Sequence, residues 1–530
     1  MEIIILEKKL NNFEKKIFNN LFREHKLVID PFGNNQLFLD LNKVKNLQFQ
    51  SDLLKIIDNE KSKILNNFIV ASRVYPHIIE MKISEFNYSD NYWKAYFFRE
   101  FLKKYLNKKR IDKIIIFSSN DYLLYKALKE TYNNKISNHI FILKTFNLFF
   151  NISKILLIFI NNFFLEFYFS IKIKNKKKTT NKKKLLIANF SRDWSIDGNR
   201  YKFVGKNTNK FIILVSILRN NSNILKKNYK KRPRSNYSII EGYIYWFDLI
   251  KIYFSSFFKM LIYFKKVYSI LKIVNLEFCK TEILLNYFLI EDTKNKSLKK
   301  SLKEYLKYNY KFKKILIPMF EFIEGRIYAN FFNKKNFLTH SFQHSVISKA
   351  HESRVFTATK FIKSKDINYL PSKIFVEGKY AFNQFKINKL NSIITGAVRL
   401  NSNTLKNNNN KKINILYIDE LYDSEYLFSI LEFFNNKQIN YNFYIRPHPV
   451  NLDKYKDKIL NIVLKNRNIF LDSSNTLEKS INKYKINFSI STSSTAFLDL
   501  LRKKKLCFLL KKKNMSINLP NNFIKKKVYN

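Results

Sequence analysis

Hydrophobic residues along the chain form two kinds of pattern, short continuous runs and longer stretches with helical spacing. The runs at Glu2–Leu6 and Ile111–Phe117 have the length and composition of buried strands. The second run is followed by the letters SSND, a capping signal that predicts a helix over Tyr122–Tyr132. A further helix is predicted over Tyr92–Leu106 and a strand over Ile140–Leu143. Strands that alternate with helices in this way indicate a parallel sheet.

The same alternation returns after residue 184 and continues almost to the end of the chain. Strands are predicted at 184–190, 210–217, 313–320, 336–342, 372–378 and 391–397, with helical stretches such as Lys280–Tyr310 between them. A polar linker, TGAVRLNSNTLKNNNNKK, precedes a second series. That series has strands at 414–418, 441–445, 468–471, 486–490 and 506–510 and helices at 424–434, 476–483 and 495–503. We therefore expect an α/β fold with a Rossmann-like domain over 1–400, a second over 411–515 and a basic tail over 516–530.

Two apolar stretches interrupt the alternation in the N-terminal half. Residues Asn147–Lys172 are almost wholly apolar and precede a lysine-rich segment, so an apolar and basic helical insertion is expected over about 146–183. About 20 apolar residues suffice to cross a bilayer, but Lys154 and Glu166 would be costly at its centre. A membrane span, a helix in the membrane interface, and a buried or dimer-forming helix all remain open. A long amphipathic helix over about 243–275 either packs on its neighbour or favours work at a membrane surface.

The composition of the chain limits the kinds of partner that the protein is expected to bind. The net charge is +56, but lysine is spread over the whole chain together with over-used Asn, Ile, Phe and Tyr, as an AT-rich genome produces. The sequence has no stripe of arginine and aromatic residues of the kind that binds nucleic acid, so nucleic acid is not an expected partner. A weak attraction to anionic lipid is expected. Cys279 and Cys507 lie far apart, which suits a reducing compartment. Because MEIIILEKKL does not resemble a signal peptide, we expect a cytoplasmic protein, peripheral on the inner membrane.

Candidate chemistry lies at the ends of two C-terminal strands. Arg446 and His448 follow the strand at 441–445, and four hydroxyl residues, Ser491–Ser494, follow the strand at 486–490. In an open parallel sheet the ligand binds beyond the carboxyl ends of the strands. A guanidinium group and a helix N-terminus both favour phosphate, which is important here because no G-x-G motif occurs. Simple capping of the following helix is the alternative for the serines.

A second group of polar residues follows the strands predicted near 313–342. Three histidines, His340, His344 and His351, occur within twelve residues, and Glu321 and Glu324 follow the preceding strand. A carboxylate and an imidazole at adjacent strand ends can act as a general base and a charge-stabilising group. The spacing H-x3-H-x6-H matches no closed zinc site, and no metal is predicted.

These motifs resemble those of a known enzyme class. The letters RPHP at 446–449 and STSSTA at 491–496 look like the donor half of GT-B glycosyltransferases that build bacterial capsule and lipopolysaccharide glycans, and of the related polyol-phosphate transferases of wall teichoic acid synthesis. The letters QHS at 343–345, with the glutamates before them, resemble a family of surface carbohydrate biosynthesis proteins. The chain departs from the pattern at Phe342, where a glycine is usual, and Gly396 is what remains of the expected glycine loop.

The resemblance implies two Rossmann-like domains facing a central cleft, and it implies roles for single residues. The catalytic residues would be Glu321, Glu324 and His344. The donor-binding residues would be Gln343, Gly396, Arg399, Arg446, His448, Ser491, Ser493 and Ser494.

The implied activity is transfer of a sugar from a nucleotide-activated donor to a surface polysaccharide or lipid-linked glycan precursor at the cytoplasmic membrane face. The donor is then a substrate and no cofactor is required, and since no D-x-D motif precedes a strand end, a metal-independent reaction is expected. A polyol-phosphate transferase and a non-catalytic glycan-assembly scaffold are the alternatives.

Overall fold

The structure is a computed structural model. It describes residues 2–6, 10, 12–21, 27–29, 95–96, 98–100, 102–103, 112–117, 122–132, 136–138, 144–172, 185–189, 211–216, 237–273, 277, 281, 285–308, 312, 314–317, 320, 323–343, 367–396, 412–418, 430, 441–447, 460, 463–464, 466–474, 477–491, 500 and 506–509. These residues form a mixed α/β protein with several parallel sheets, which confirms the predicted α/β class.

The first sheet has four parallel strands in the order β2-β1-β3-β4. The strands are β1 (Glu2–Leu6), β2 (Leu27–Ile29), β3 (Lys113–Phe117) and β4 (Ile136–Asn138). Helices α1 (Asn12–Leu21) and α2 (Tyr122–Tyr132) connect strands of this sheet. The isoleucines of β1 are fully buried, because β1 lies between two neighbours and its apolar run leaves no polar face.

The second sheet has seven strands in the order β11-β10-β9-β8-β5-β6-β7. The strands are β5 (Leu185–Asn189), β6 (Phe211–Val215), β7 (Tyr237–Ile239), β8 (Lys314–Ile317), β9 (Leu338–Phe342), β10 (Lys373–Val376) and β11 (Ser392–Ile394). The pairs within β7-β6-β5-β8-β9 are parallel. The strands up to residue 394 thus belong to two sheets, whereas the sequence pattern predicts a single Rossmann-like domain for them. The extent of that domain stays a prediction.

The described residues of this part of the chain include five helices. They are α3 (Lys144–Lys172), α4 (Trp246–Ile273), α5 (Thr293–Tyr308), α6 (Ile323–Asn333) and α7 (Lys379–Ile387). A π-helical segment, Leu285–Asp292, leads directly into α5. Helices α3 and α4 confirm the two helices predicted over the apolar stretches. Within the part of the chain that the structure describes, one segment, Ile152–Ile171 of α3, is long and apolar enough to cross a membrane.

The third sheet has five parallel strands in the order β14-β13-β12-β15-β16. The strands are β12 (Ile413–Ile418), β13 (Tyr441–Arg446), β14 (Ile469–Leu471), β15 (Phe488–Ser491) and β16 (Leu506–Leu509), and α8 (Leu477–Lys483) precedes β15. All five predicted C-terminal strands are confirmed. Residues 430 and 500, within two of the predicted helices, are helical. The strand predicted at 140–143 and the tail at 516–530 lie outside the described residues.

The chain divides into two compact units, and the division falls inside β10. One unit contains β1 to β9 with α1 to α6, and the other contains β11 to β16 with α7 and α8. In the second unit the core lies on both faces of the five-stranded sheet. Ile415, Tyr417 and Phe443 pack on one face, while Leu416, Ile418 and Leu477 pack on the other.

Candidate functional site

The five-stranded sheet begins with its central strand and is then built outward in both directions. From β12 the chain adds β13 and β14 on one side and then β15 and β16 on the other. The crossover direction therefore reverses between β12 and β15, and ligands of open α/β sheets bind at the carboxyl ends of strands at this type of switch point. The edge predicted to carry the candidate site is thus the edge that holds the switch point.

Arg446 and Ser491 lie at this carboxyl edge in the same row of the sheet. Ile418, the last residue of β12, is in register with Arg446 of β13 on one side and with Ser491 of β15 on the other. Since neighbouring strands are about 4.8 Å apart, the two backbones are separated by roughly 10 Å. The prediction that both motifs begin at one sheet edge is confirmed.

The register of these three strands is fixed at the opposite, amino-terminal edge by side-chain amides. The backbone N–H of Asn414 donates to Oδ1 of Asn487 (2.8 Å), and its Nδ2 donates to the carbonyl of Tyr484 (2.7 Å). Nδ2 of Asn442 in turn donates to Oδ1 of Asn414 (2.9 Å). Because Asn414 is buried, these bonds satisfy a side chain that would otherwise oppose folding. They hold β13 and β15 against β12 and so position the two ends at the candidate site.

The Arg446 side chain is directed toward β14 and α8. Its Nη1 donates to Oδ2 of Asp472 (2.6 Å), to Oγ of Ser480 (2.7 Å) and to the carbonyl of Ser474 (3.1 Å). Asp472 also accepts from Ser480 Oγ (2.5 Å) and from the backbone N–H of Ser474 (2.8 Å). The Asp472 side chain is 0% exposed and that of Arg446 is 21% exposed. Nη1 therefore anchors the segment after β14, and Nε and Nη2 make no hydrogen bond with the described residues.

Asp472, Ser474 and Ser480 were not among the site residues predicted from the sequence. A signal for them existed, since Asp472-Ser473-Ser474 follows directly on the strand letters NIFL, as RPHP follows on YNFYI. Two adjacent parallel strands that end in Arg and Asp place opposite charges side by side at one edge. Reading the strand ends in pairs would have predicted the ion pair.

Ser491 is the last residue of β15 and is 1% exposed. Its side chain is buried, whereas the sequence pattern predicted an accessible residue in the loop after the strand. The other members of the serine cluster predicted to bind the donor are Ser493 and Ser494. These two residues and His448 lie outside the described residues, and their roles stay predictions.

A second carboxyl edge brings together Gln343 and Gly396. The backbone N–H of Gln343, directly after β9, donates to the carbonyl of Phe375 (2.8 Å), and its Oε1 accepts from the backbone N–H of Glu377 (3.0 Å). The N–H of Thr395 donates to the carbonyl of Val376 (3.0 Å), which places Gly396 beside the end of β10. Gln343 thus ties β9 to the segment that enters α7. Gly396 has φ +77, a conformation that favours glycine.

The predicted catalytic residues are described only in part. Glu324 lies in the first turn of α6 and is half-buried. Arg326, one position beyond Gly325, is completely buried in the same helix. Glu321, His344 and Arg399 lie outside the described residues, so whether a carboxylate and an imidazole meet at this edge stays a prediction.

His340 lies within β9, as the strand predicted at 336–342 already implies, so its grouping with residues that follow the strand is wrong. Burial lowers the pKa of His340, and the neighbouring charges of Lys314 and Lys373 lower it further. These lysines begin β8 and β10, at the amino-terminal side of the sheet. His340 is therefore a neutral, half-buried residue of the sheet at neutral pH.

Titratable groups do not assemble into a metal centre within the described ranges, where no cluster of three or more His, Cys, Asp or Glu side chains occurs. Cys507 of β16 accepts a hydrogen bond from Ser489 Oγ (3.0 Å), and burial raises the pKa of its thiol to about 11. This thiol is protonated at neutral pH and is not an activated nucleophile.

Comparison with known proteins adds no relative to this picture. No protein-family model matches the chain, and no curated protein matches it. The geometry of the five-stranded sheet and the motif resemblance therefore carry the functional proposal.

Proposed function

We propose that the protein is a GT-B-type glycosyltransferase that moves a sugar from a nucleotide-activated donor to a bacterial surface polysaccharide or a lipid-linked glycan precursor. In this proposal the donor binds the C-terminal Rossmann-like domain, predicted over 411–515, and the acceptor meets the first 400 residues across the cleft that such enzymes have. The enzyme works at the cytoplasmic face of the inner membrane, in peripheral contact with anionic lipid.

The observation that supports this proposal most is the strand order of the five-stranded sheet. The order places the ends of β13 and β15 on either side of β12 at the switch point, and these are the strands that lead into the RPHP and STSSTA motifs. If the two motifs had occurred by chance, there would be no reason for both to begin at the same edge of one parallel sheet.

The chemistry at this edge suits a phosphate-containing leaving group. Asp472 and Ser480 hold Nη1 of Arg446, which leaves Nε and Nη2 as donors toward a ligand. A guanidinium group fixed by a buried carboxylate has little rotational freedom left to lose when it binds phosphate. His448 and the N-terminus of the helix predicted over 495–503 would supply further donors, and together they would stabilise the departing phosphate without a metal ion.

The proposal is tested by thermal unfolding of the full chain with a panel of nucleotides. The panel contains UDP-, GDP-, CMP- and CDP-linked sugars and CDP-glycerol, with the unlinked sugars as controls. One nucleotide class should raise Tm, because a ligand at 100 times its Kd stabilises the native state by about 2.7 kcal/mol. A shift with CDP-glycerol alone would favour the polyol-phosphate transferase. The proposal is wrong if no member of the panel raises Tm and none supports transfer to a membrane extract.

A further inference from the structure

Helices α3 and α4 pack against each other in opposite directions. The ring of Phe159 lies 4.9 Å from that of Tyr253, and the ring of Phe167 lies 6.4 Å from that of Trp246. Phe163 also contacts Tyr253, at 5.1 Å between ring centroids. Contacts advance along α3 as they go back along α4, so the helices form an antiparallel pair.

The acidic residues of this pair are both engaged by α5. Each helix contains one acidic residue, Glu166 in α3 and Asp248 in α4. Glu166 is buried and accepts a hydrogen bond from Ser297 of α5 (2.8 Å). Asp248 lies 3.2 Å from Nζ of Lys300, one turn further along α5. A membrane span would surround α3 with lipid, whereas here one of its sides is joined to protein through a carboxylate.

The side of each helix that is turned away from these contacts is exposed and apolar. On α3 the exposed large apolar residues are Leu157, Ile158, Ile160, Phe164, Tyr168 and Ile171. On α4 they are Trp246, Phe247, Phe254, Phe257, Phe258, Leu261 and Ile262. Phe164 is 61% exposed and Phe254 is 62% exposed, and the informative feature is that many such side chains follow one another along one side of each helix.

The two exposed stripes lie on the same side of the helix pair. At about 100° of rotation per residue, the centre of each stripe lies about 100° from the contact between the helices, with the same sense of rotation along both chains. In an antiparallel pair, equal rotations in the same sense bring both stripes to one side. The result is a single apolar surface, which we call the aromatic face and define by the thirteen residues named above.

The charges around the aromatic face are positive. Lys154 and Lys251 are exposed on the two helices beside the stripes, and the sequence that follows α3, residues 173–184, contains seven lysines and no acidic residue. We propose that the aromatic face is the surface by which the protein enters the headgroup region of a membrane rich in anionic lipid. Aromatic rings suit the boundary between headgroups and acyl chains, and lysines can extend along it to reach phosphate.

The charge also argues against a second copy as the occupant of the aromatic face. A partner with the same net charge of +56 would bring its lysines against those at the edge of the face. An anionic bilayer attracts and neutralises these lysines instead. If the protein is the proposed transferase, the aromatic face is the surface that brings it to a lipid-linked acceptor. This biological purpose rests on the proposed function, whereas membrane binding itself does not.

The test is co-sedimentation of the full chain with vesicles of phosphatidylcholine alone or mixed with an equal part of phosphatidylglycerol. Binding should require phosphatidylglycerol and fall at high salt. The double variant Phe164→Glu/Phe254→Glu should lower the partition coefficient by roughly a hundredfold, about tenfold for each buried ring that is lost. Phe13→Glu is the matched control, since Phe13 is 71% exposed on α1, outside the aromatic face, and its loss should leave binding unchanged.

A second measurement does not depend on the folding of the double variant. Brominated acyl chains should quench the fluorescence of the native chain, and this quenching should fall in Trp246→Phe, because Trp246 lies within the aromatic face. The proposal is overturned if the native chain does not bind anionic vesicles, or if Phe13→Glu weakens binding as much as the double variant does. It is also overturned if the native chain is a dimer and the double variant is a monomer. The nucleotide-dependent rise in Tm should survive in the double variant, which separates failure of this proposal from failure of the proposed function.

Discussion

Replacing Arg446 with alanine removes one partner of an ion pair and leaves the other buried. Asp472 then keeps its hydrogen bonds from Ser474 and Ser480 but loses the bond from Nη1 and the compensating charge. Breaking a buried pair in this way costs about 3–5 kcal/mol. Because the Arg446 side chain is 21% exposed, water can enter the space it leaves, and we expect the lower end, about 3 kcal/mol.

The assay is hydrogen–deuterium exchange of the full chain, followed by mass spectrometry of peptides that cover 441–447 and 469–491. Exchange reports the free energy of local opening, so a loss of about 3 kcal/mol should speed exchange of these amides by roughly a hundredfold. Peptides from β1 and β3 of the first sheet, in the other compact unit, provide an internal reference.

Arg467→Ala is the matched control, because Arg467 is an exposed arginine in the turn before β14. Its loss should change stability by less than about 0.5 kcal/mol. The reasoning is refuted if exchange in Arg446→Ala matches that in Arg467→Ala. It is also refuted if Arg446→Ala abolishes nucleotide binding with full protection retained, since Arg446 would then serve the ligand and not the fold.

Three further changes test other parts of the account. Gly396→Ala should cost about 1 kcal/mol, because φ is +77 there and the added methyl group meets no neighbour. Gly378→Ala, at extended φ −171, should lack this backbone cost and show only the effect of replacing the glycine that caps α7, and thermal unfolding compares the two. Ser297→Ala should cost about 1.5–3 kcal/mol, because it removes a hydrogen-bond donor from the buried Glu166 carboxylate. Ser301→Ala should be neutral or stabilising, since the buried Oγ of Ser301 has no hydrogen-bond partner among the described residues. Equal denaturant midpoints for the two variants would contradict this prediction. The pKa of His340 is lower in the folded protein than its unfolded value of about 6.5, so its contribution to stability is present above pH 6.5 and is lost as the pH falls toward the folded pKa. His340→Gln should therefore flatten the dependence of stability on pH in this window. An unchanged slope would contradict the prediction.

Much of the strand order along the chain follows from apolar runs, and the reason is visible at β1 and β12. Strands of a parallel sheet that are covered on both faces need apolar side chains at consecutive positions, and Ile3–Leu6 and Ile415–Ile418 are buried throughout. Such runs stand out from helical spacing in any composition. The three sheets could not be separated in this way, because the division between β4 and β5 depends on pairing and leaves no mark in either strand.

The candidate site was predicted in position but not in contacts. Register alone places Arg446 and Ser491 at one edge, and it follows from strand length. Whether Arg446 turns toward a ligand or toward Asp472 depends on a neighbour 26 residues away in sequence. Ser491 was expected to be accessible because the predicted strand ended one residue earlier, at 490, and a shift of one residue at a strand end changes which side chains are buried.

The apolar helix α3 shows the opposite limit. Its length and composition allowed three interpretations, and Glu166 was counted only as a cost against a membrane span. The bond from Ser297 explains the glutamate, since the two residues meet across helices that are 131 positions apart in sequence. Hydropathy along one helix contains no information about such a partner.

The most direct test of the central claim is a nucleotide footprint by hydrogen–deuterium exchange on the full chain. The account predicts that the nucleotide class that raises Tm also slows exchange in peptides covering 446–449 and 491–496, and in no peptide of the four-stranded sheet. Protection confined to other parts of the chain, with these two peptides unchanged, would contradict it.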